Sequence, residues 1–390
     1  MNEATGRKTY KEKLRPTPTQ ERELERVLVR CRHLYNTALE QRITAWQRCH
    51  VSVSRYEQEA ELKAIRAAFP EYAAIHSHLL QDVLARLDKT YQAFFRRLQR
   101  GEGGKKAGFP RFKSVTRSHS FTFKAYGNGA TLDTGFLVLS KIGRIRVHRS
   151  RPLEGTPKTV TIRREADGWY VSFSCADVPV HALPQTGQET GIDLGLESFA
   201  TLADGTMIHT PRCYRKAEAH LRRCQRRVAR RKKGSNRRRQ AVKLLAKALQ
   251  KVHRQRRDFH HKEALALVQH FDTIYYEDLR VRNMVRNHHL AKRISDAGWS
   301  QFLTLLAFKA AGAGKRVVAV EPALTSQKCS GPKCGGVVWK GLWVRWHTCP
   351  HCGTSLHRDH HAARNSMSLG KKEVGGDTAV RREREPLGCA

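Results

Sequence analysis

The sequence predicts a multi-domain α+β protein: an antiparallel β-barrel or sheet carrying an inserted helical module, followed by an α/β domain whose sheet is partly parallel. Three observations predict it. Helical periodicity fills residues 17–100, short strand-like runs fill 105–180, and strands alternate with helices from residue 189 onward. At 390 residues the chain is long enough for two or three domains with cores of ordinary size.

The helical module opens at Thr17-Pro18-Thr19-Gln20, where a capping hydroxyl, a proline at the first helical position and a Gln three residues on form a helix start. Leu24, Val27, Leu28, Cys31, Leu34, Tyr35, Ala38 and Leu39 then recur at helical spacing, and a second amphipathic run from Leu79 to Leu98 ends at Gly101-Glu102-Gly103-Gly104. The short extended segment Lys8–Leu14 has no sheet of its own. It is therefore expected to join the later strands, which makes residues 17–104 an insertion between 1–16 and 105–180.

Lys105–Ser114, KKAGFPRFKS, is basic, interleaved with Phe109 and Phe112, and without period, so Lys105, Lys106 and Arg111 are candidate nucleic-acid contacts. The runs SFTF, FLVLSKIGRIRVH, KTVTIRRE and WYVSFSC follow, the last two flanking the turn Ala166-Asp167-Gly168. Pro179–Gln188 reads as a polar linker. Beyond it, GIDLGLESFATLADGTMI reads as strand, turn, strand. The apolar run Ala264–Val268 leads to the strand DTIYYEDL, a helix (Trp299, Phe302, Leu303, Leu306, Ala307, Ala310) closed by Gly312 and Gly314, and the strand RVVAV.

Charge narrows the function. Lys and Arg number 73 against 35 Asp and Glu, a formal +38, and a surface this basic needs a polyanion, most plausibly nucleic acid. Arg212–His260 concentrates it: 20 Lys or Arg stand against Glu218 and Asp258 alone. Ala217, Leu221, Cys224 and Val228 mark one helical stripe, and Ala241, Leu244, Leu245, Ala248, Leu249 and Val252 mark another. Gly234-Ser235-Asn236 separates them, which predicts a helical hairpin with a thin apolar seam and a cationic exterior. Arg222, Arg226, Arg230, Arg237, Arg238 and Arg239 are its candidate phosphate contacts. No apolar h-region opens the chain and no run approaches a membrane span, so secretion and membrane insertion are not expected. Ten Cys make no disulfide scaffold, which suits a reducing cytoplasm, and the six scattered ones (Cys31, Cys49, Cys175, Cys213, Cys224, Cys389) read as core fillers or unreactive thiols.

Two constellations carry chemistry. Cys329 and Cys334 are separated by four residues, Cys349 and Cys352 by two, and fourteen residues lie between the pairs. Two thiolate pairs on Gly-containing knuckles suit a closed tetrahedral zinc site, with a redox dithiol and a decayed site as the other readings. Four protein ligands leave no open position, so such a zinc holds structure. His347 and His351 are nearby spare ligands, read rather as solvent or nucleic-acid contacts.

The second constellation is acidic. Asp193 lies in the apolar strand Ile192-Asp193-Leu194, Glu277 in Ile274-Tyr275-Tyr276-Glu277, and Asp359 just before a helix-like run. Singly, each reads as a surface or salt-bridged residue. Together, carboxylates from distant segments can converge on divalent cations, as in two-metal phosphodiester hydrolysis.

The order Asp, Glu, Asp on strand, strand and loop-to-helix resembles a RuvC-type nuclease of the RNase H-like fold. EDL at Glu277, TSQKCS before the first knuckle, TCPHCG within the second and HRDHHAARN after it resemble the TnpB family, transposon-encoded RNA-guided DNA nucleases related to type V CRISPR effectors. The resemblance covers nearly the whole chain: KTYKEKLRPTPTQ…CRHLYNTAL and GFPRFKS look like that family's wedge and recognition regions, and GWSQFLTLLAFKAAGAGKRVVAVEP like the stretch before its zinc element.

The resemblance implies a wedge β-barrel (1–16 and 105–180) and a helical recognition module (17–104). It also implies a RuvC-like domain (189–326 and 354–370) including the basic hairpin 212–260, a zinc ribbon (327–353), and a disordered tail (371–390). It implies Asp193, Glu277 and Asp359 as catalytic carboxylates holding Mg2+ or Mn2+, and Cys329, Cys334, Cys349 and Cys352 as ligands of a structural Zn2+. The implied partners are a guide RNA derived from the transposon end and a double-stranded DNA target, in a prokaryotic cytoplasm and at the nucleoid. Two departures stand out. The family's final motif reads Asp-Arg-Asp-x-Asn-Ala-Ala, where this chain has His357-Arg358-Asp359-His360-His361-Ala362-Ala363, and the first knuckle is longer than usual. The alternatives are a cleavage-impaired guided DNA-binding regulator, a transposase or accessory transposition factor, and a plain zinc-ribbon nucleic-acid binder.

Overall fold

Strand β1 (Thr5–Arg15) turns Tyr10, Glu12 and Leu14 inward and their neighbours outward, the alternation of a strand with one buried face. After it come helices α1 (Pro18–Cys49), α2 (Arg55–Ala68), α3 (Pro70–Ala73) and α4 (Ser77–Gln99). The structure, a computed structural model, describes residues 5–101, 108–341 and 343–375. Thr17 caps α1 through its side chain, which accepts from the Gln20 N–H at 3.3 Å, while the Thr17 N–H donates to Gln20 Oε1 at 3.0 Å. The stripe Leu24 to Leu39 is buried along its length.

Strands β2 (Ser120–Phe123), β3 (Ala130–Asp133), β4 (Phe136–Leu139), β5 (Gly143–His148), β6 (Thr156–Glu165) and β7 (Gly168–Pro179) complete the sheet. Its order is β2-β6-β7-β1-β5-β4-β3, antiparallel throughout, so β1 sits at the centre of strands that follow it by more than a hundred residues. Glu12, buried within it, accepts from the Ser150 N–H (3.2 Å) and hydroxyl (2.8 Å). The run 136–148 is two strands, because Lys141 takes a left-handed φ of 71° and turns the chain.

A second compact unit, Val180–Ala390, follows the first, Met1–Pro179. It holds β8 (Glu189–Asp193), β9 (Ser198–Leu202), β10 (Met207–His209), α5 (Cys213–Ala229), α6 (Asn236–His270) and β11 (Thr273–Glu277). Helices α7 (Val281–Met284), α8 (His288–Ala297) and α9 (Trp299–Gly312) precede β12 (Arg316–Val320). The short strands β13 (Trp346–Thr348) and β14 (Ser355–His357) then lead straight into α10 (Arg358–Gly375). The sheet order is β10-β9-β8-β11-β12, with β8, β11 and β12 parallel and β9 and β10 antiparallel. This is a mixed α/β arrangement. Asp272 anchors its edge, accepting from the backbone N–H groups of Thr186 and Gly187 and pairing with the buried Lys315.

Two expectations change. The basic segment and the apolar run Ala264–Val268 form one 35-residue helix, α6, on which Leu244 and Leu249 are exposed while Ala241, Val252, Ala264, Leu267 and Val268 are buried. Leu221, Ala241 and Val252 are buried and Leu245 and Ala248 half-buried, so the apolar seam is thin, in line with the sequence reading. Residues 371–375, assigned by sequence to the tail, belong to α10, and 376–390 lie outside the described residues.

Helix α10 lies directly on the sheet. A Cβ on Gly191 of β8 would stand 2.0 Å from the Ala363 carbonyl oxygen, and one on Gly370 would stand 1.9 Å from the Tyr275 ring, so glycine alone permits this approach at both ends. On the opposite side His260 is fully buried against Phe199 and Phe302 and hydrogen-bonds the Ala297 carbonyl oxygen from Nε2 at 2.9 Å. Burial holds its pKa down at about 4. The unfolded chain therefore takes up this proton near pH 6.5 and the folded chain does not, so stability should fall as pH drops from about 6.5 to 4, by at most about 3 kcal/mol from this residue. Thermal melts across that range should show the slope, and His260→Phe should reduce it.

Candidate functional site

The three sequence-selected acids meet at one end of the parallel strands. Ile192 of β8 pairs with Tyr276 of β11, so the next residues, Asp193 and Glu277, leave the sheet side by side. Asp359, in the first turn of α10, reaches them because that helix lies against Gly191; a Cβ on Gly195 would be 3.6 Å from Asp359 Oδ2. Glu277 is 8% and Asp359 7% exposed, and Asp193 is half-buried. Burial, then the charges of Glu277 and Asp359, push the Asp193 carboxyl well above its ordinary value, and burial chiefly raises that of Glu277.

Nothing among the described residues fully answers this repulsion. Arg358 opposes it at both Asp193 and Glu277, and Arg345 stands 3.2 Å from Glu197 Oε2 and 3.9 Å from Asp359 Oδ1. Yet Glu277 Oε1 is buried without a hydrogen-bond partner among the described residues. A buried carboxylate oxygen without a partner, beside two further carboxylates, is oxygen-donor chemistry of the kind hard divalent cations use.

The four cysteines also converge. Cys329 and Cys352 sulfurs are 3.5 Å apart, Cys334 and Cys349 sulfurs 3.7 Å, and all four lie within 4.8 Å of one another. A tetrahedron with metal–sulfur bonds of about 2.3 Å has edges of about 3.8 Å. The knuckle backbones close tightly: the Cys329 N–H donates to the Gly336 carbonyl oxygen (2.8 Å) and the Gly353 N–H to that of Cys349 (2.9 Å). A Cβ on Gly331 would fall 2.9 Å from Cys352 Sγ and 3.3 Å from Cys329 Sγ, so the longer first knuckle folds its extra residues around the sulfurs. Hydrogen bonds from Thr354 hold the Cys352 thiol down at about 6. The cluster could hold a metal ion.

Of the two histidines beside it, His347 departs from the sequence reading. His347, expected at the surface, is fully buried and stacks on the fully buried His361 with ring centroids 3.7 Å apart; His351 is exposed. Cys329, His347 and His361 also lie close enough to share an ion. However, His361 Nε2 is spent on the Lys328 carbonyl oxygen (2.7 Å) and Nδ1 accepts from the Ser330 hydroxyl (2.7 Å), which leaves the four-sulfur set as the better site. Asn365 Nδ2 donates to the Thr325 carbonyl oxygen (2.7 Å), and His360 Nε2 to that of Ala203 (3.1 Å). The altered residue His361 thus fastens α10 to the start of the first knuckle, and its unaltered neighbour His360 fastens it to the β9–β10 turn. Only the chain's fold brings those carbonyls within reach, so no local signal could have shown it.

The cationic candidates divide. Arg223, Arg226, Arg227, Arg230 and Arg231 line one concave surface of α5, following helical spacing. Arg226, Arg230, Arg237 and Arg239 are exposed. Arg222 is paired with Glu218 at 2.6 Å, and Arg238 donates to the Val228 (2.6 Å) and Arg231 (3.2 Å) carbonyl oxygens, closing the α5 C-terminus. Arg238 is therefore a structural cap and not a free phosphate contact. Arg111 is exposed in an irregular segment, whereas Lys105 and Lys106 lie outside the described residues.

Three family profiles match the chain. OrfB_IS605, described as "Probable transposase", covers residues 172–288, "Cas12f1-like, TNB domain" covers 299–366, and a "Helix-turn-helix domain" of OrfB_IS605 covers 6–50. That last segment folds here as β1 and the single long helix α1. A protein of Streptomyces pristinaespiralis named "Putative RNA-guided DNA endonuclease" is 35% identical over 97% of this chain and 93% of its own length. InsQ of Escherichia coli K12, of like name, is 29% identical over 93% of this chain and 92% of its own. Among solved structures, the mini-RNA-guided endonuclease CRISPR-Cas_phi3 aligns over 93% of this chain at 11% identity and a TM-score of 0.49, a likeness too remote to bear on the fold. The chain belongs to the OrfB_IS605 family of TnpB proteins.

Purified protein should carry one tightly bound metal ion per chain, because thiolate ligation is coupled to local folding. Elemental analysis of Cys349→Ser should find that ion gone, while metal-free wild-type protein with Cys349 open to alkylation would remove the site.

Proposed function

We propose that this chain is an RNA-guided DNA endonuclease that cuts target DNA beside a short motif, by RuvC-type phosphodiester hydrolysis in an RNase H-like domain. The observation that carries the reading is the convergence of Asp193, Glu277 and Asp359, three carboxylates from distant segments, in which burial and the neighbouring acids raise the pKa of Asp193 and Glu277 and leave Glu277 Oε1 without a partner among the described residues. Family membership and the names of the relatives support it. Residues 1–16 and 105–180 would serve as the wedge, 17–104 as the recognition module, and 189–326 with 354–370 as the nuclease domain. The segment 327–353 would be the zinc ribbon.

Asp193, Glu277 and Asp359 would hold Mg2+ or Mn2+, which when bound supplies charge neutralisation at the scissile phosphodiester and activation of the attacking water. The chain's own residues do the rest. Gly191 lets α10 deliver Asp359, His360 and His361 hold that helix in register, and Arg358 tempers the repulsion among the acids. The four cysteines would hold Zn2+ with no open coordination position, fixing the knuckles next to Asp359. The exposed arginines of α5 and α6 face the partners, a guide RNA from the transposon end and the target duplex. Among the described residues no helix is long and apolar enough to cross a membrane.

Asp193→Ala should leave guided DNA binding intact and lower cleavage by several orders of magnitude, since it removes a metal ligand and no surface charge of the hairpin. Chelator-treated wild-type protein should regain cleavage with Mg2+ or Mn2+ but not with Zn2+ alone. Full activity of Asp193→Ala on a matched target would sink the nuclease reading. The arginine surface is tested separately: Arg226→Ala with Arg230→Ala should weaken RNA binding and flatten its dependence on log salt by roughly one unit per lost phosphate contact. An unchanged slope would place the contact elsewhere.

A further inference from the structure

The four clustered cysteines do not share one environment. Cys329 and Cys349 are 3% and 1% exposed, whereas Cys352 stands at the surface and Cys334 is half-buried. The cluster therefore has a dry side and a wet side. Peroxides and other electrophiles attack thiolates, and attack follows exposure, so Cys352 is the first ligand to be lost.

The dry side holds a donor that the four-sulfur set does not use. His347, on β13 and two residues before Cys349, is fully buried, and a ring nitrogen of it lies within 4.8 Å of the Cys329 sulfur. Its Nδ1 accepts from Lys340 Nζ, which leaves the ring proton on Nε2, and Nε2 is buried with no partner among the described residues. A polar atom in that state is costly, so the position is not one that packing alone favours. His361 lies parallel to it, with ring centroids 3.7 Å apart and planes 20° apart, and is itself fixed by the Ser330 hydroxyl and the Lys328 carbonyl oxygen. The stack sets the plane of the His347 ring. In the family's final motif Asn stands at the position of His361, and Asn has no ring to stack.

We propose that His347 is a reserve ligand of the cysteine-bound metal ion: when Cys352 is lost it completes the coordination with Cys329, Cys334 and Cys349, and His361 is the positioning residue that holds its ring for this. The inference rests on the four-cysteine zinc site proposed above. A peroxide removes Cys352 as a ligand: the thiolate sulfur attacks one peroxide oxygen, the O–O bond breaks with loss of hydroxide, and the sulfenic acid that remains is a weak donor. Ligation by His347 needs the lone pair of Nε2, so the ring proton passes to Nδ1 and the Lys340 ammonium, which has no lone pair to accept it, turns aside. Cys349 is not covered in this way. His347 reaches the ion from the strand that Cys349 anchors, so losing Cys349 releases both. With the exchange, the first knuckle stays closed after its exposed partner is oxidised, and α10, fastened to that knuckle through His361, keeps its seat.

The test uses the full chain loaded with Zn2+. X-ray absorption of wild-type protein should show sulfur alone around the ion at about 2.3 Å, and Cys352→Ser should keep one ion per chain with an imidazole nitrogen at about 2.0–2.1 Å in place of one sulfur. Adding His347→Phe to Cys352→Ser should release the ion. Adding His361→Asn to Cys352→Ser should weaken Zn2+ binding about 10- to 100-fold, the usual cost of losing an outer-shell partner, while His361→Asn alone should bind as wild type does. A peroxide titration covers the case in which Cys352→Ser fails to fold. Wild-type protein with Cys352 oxidised, read by mass spectrometry, should retain its ion, and His347→Phe treated alike should release it. Absence of an imidazole signal in Cys352→Ser, equal Zn2+ affinity with and without His347 in that background, or equal release of the ion from peroxide-treated wild type and His347→Phe would overturn the proposal. Wild-type protein that binds no Zn2+ would sink the four-cysteine site and the reserve ligand together, whereas an ion held by wild type and lost from Cys352→Ser would sink the reserve ligand alone.

Discussion

The close seat of α10 on β8 and β11 is the contact on which the candidate centre depends. Two positions without a side chain, Gly191 and Gly370, let the helix backbone and the Tyr275 ring approach to distances that any Cβ would forbid. Displacing the helix by even one methyl radius would carry Asp359 away from Asp193 and Glu277, which are themselves held side by side by the Ile192–Tyr276 register. The site is thus built from backbone proximity first and carboxylates second. Its electrostatic consequence is that burial and the neighbouring acids make Asp193 and Glu277 reluctant to ionise, a condition that divalent cations relieve.

The same helix couples the carboxylates to the cysteine cluster. His361 and Asn365, on α10, hydrogen-bond backbone carbonyls of the first knuckle, and β14 runs without a break into the residues before Asp359. The cysteine cluster and the helix that carries Asp359 are therefore directly fastened to one another. In the RNA-guided nuclease reading, this makes the knuckles a positioning device for the catalytic helix, and the residues that depart from the family's final motif are part of that device.

A chain with so large a positive excess also uses its few acids sparingly. Glu218 pairs with both Arg222 and Lys292, and Asp296 accepts from the Tyr214 and Arg215 N–H groups at the start of α5. These contacts tie the base of the basic hairpin to α8. Further along α5 the arginines are left to face outward, where like charges repel one another until a polyanion arrives.

How much of this was legible in sequence depends on the range of the interaction. Thr17 and Gln20 cap α1, the Leu24–Leu39 stripe is buried, Asp167 and Gly168 turn β6 into β7, and the cysteine spacing brings four sulfurs together. Each is decided by residues near one another in the chain, where helical period, turn conformation and knuckle length act directly. The three acids were legible too, because carboxylates inside apolar strands are costly and so conspicuous. Tertiary structure alone decided the rest. Whether Leu244 is buried, whether Arg238 faces a phosphate or a carbonyl, and whether His347 meets water or His361 depend on which distant surface is packed alongside. That choice is made by contacts between segments tens to hundreds of residues apart, and local periodicity carries no information about them.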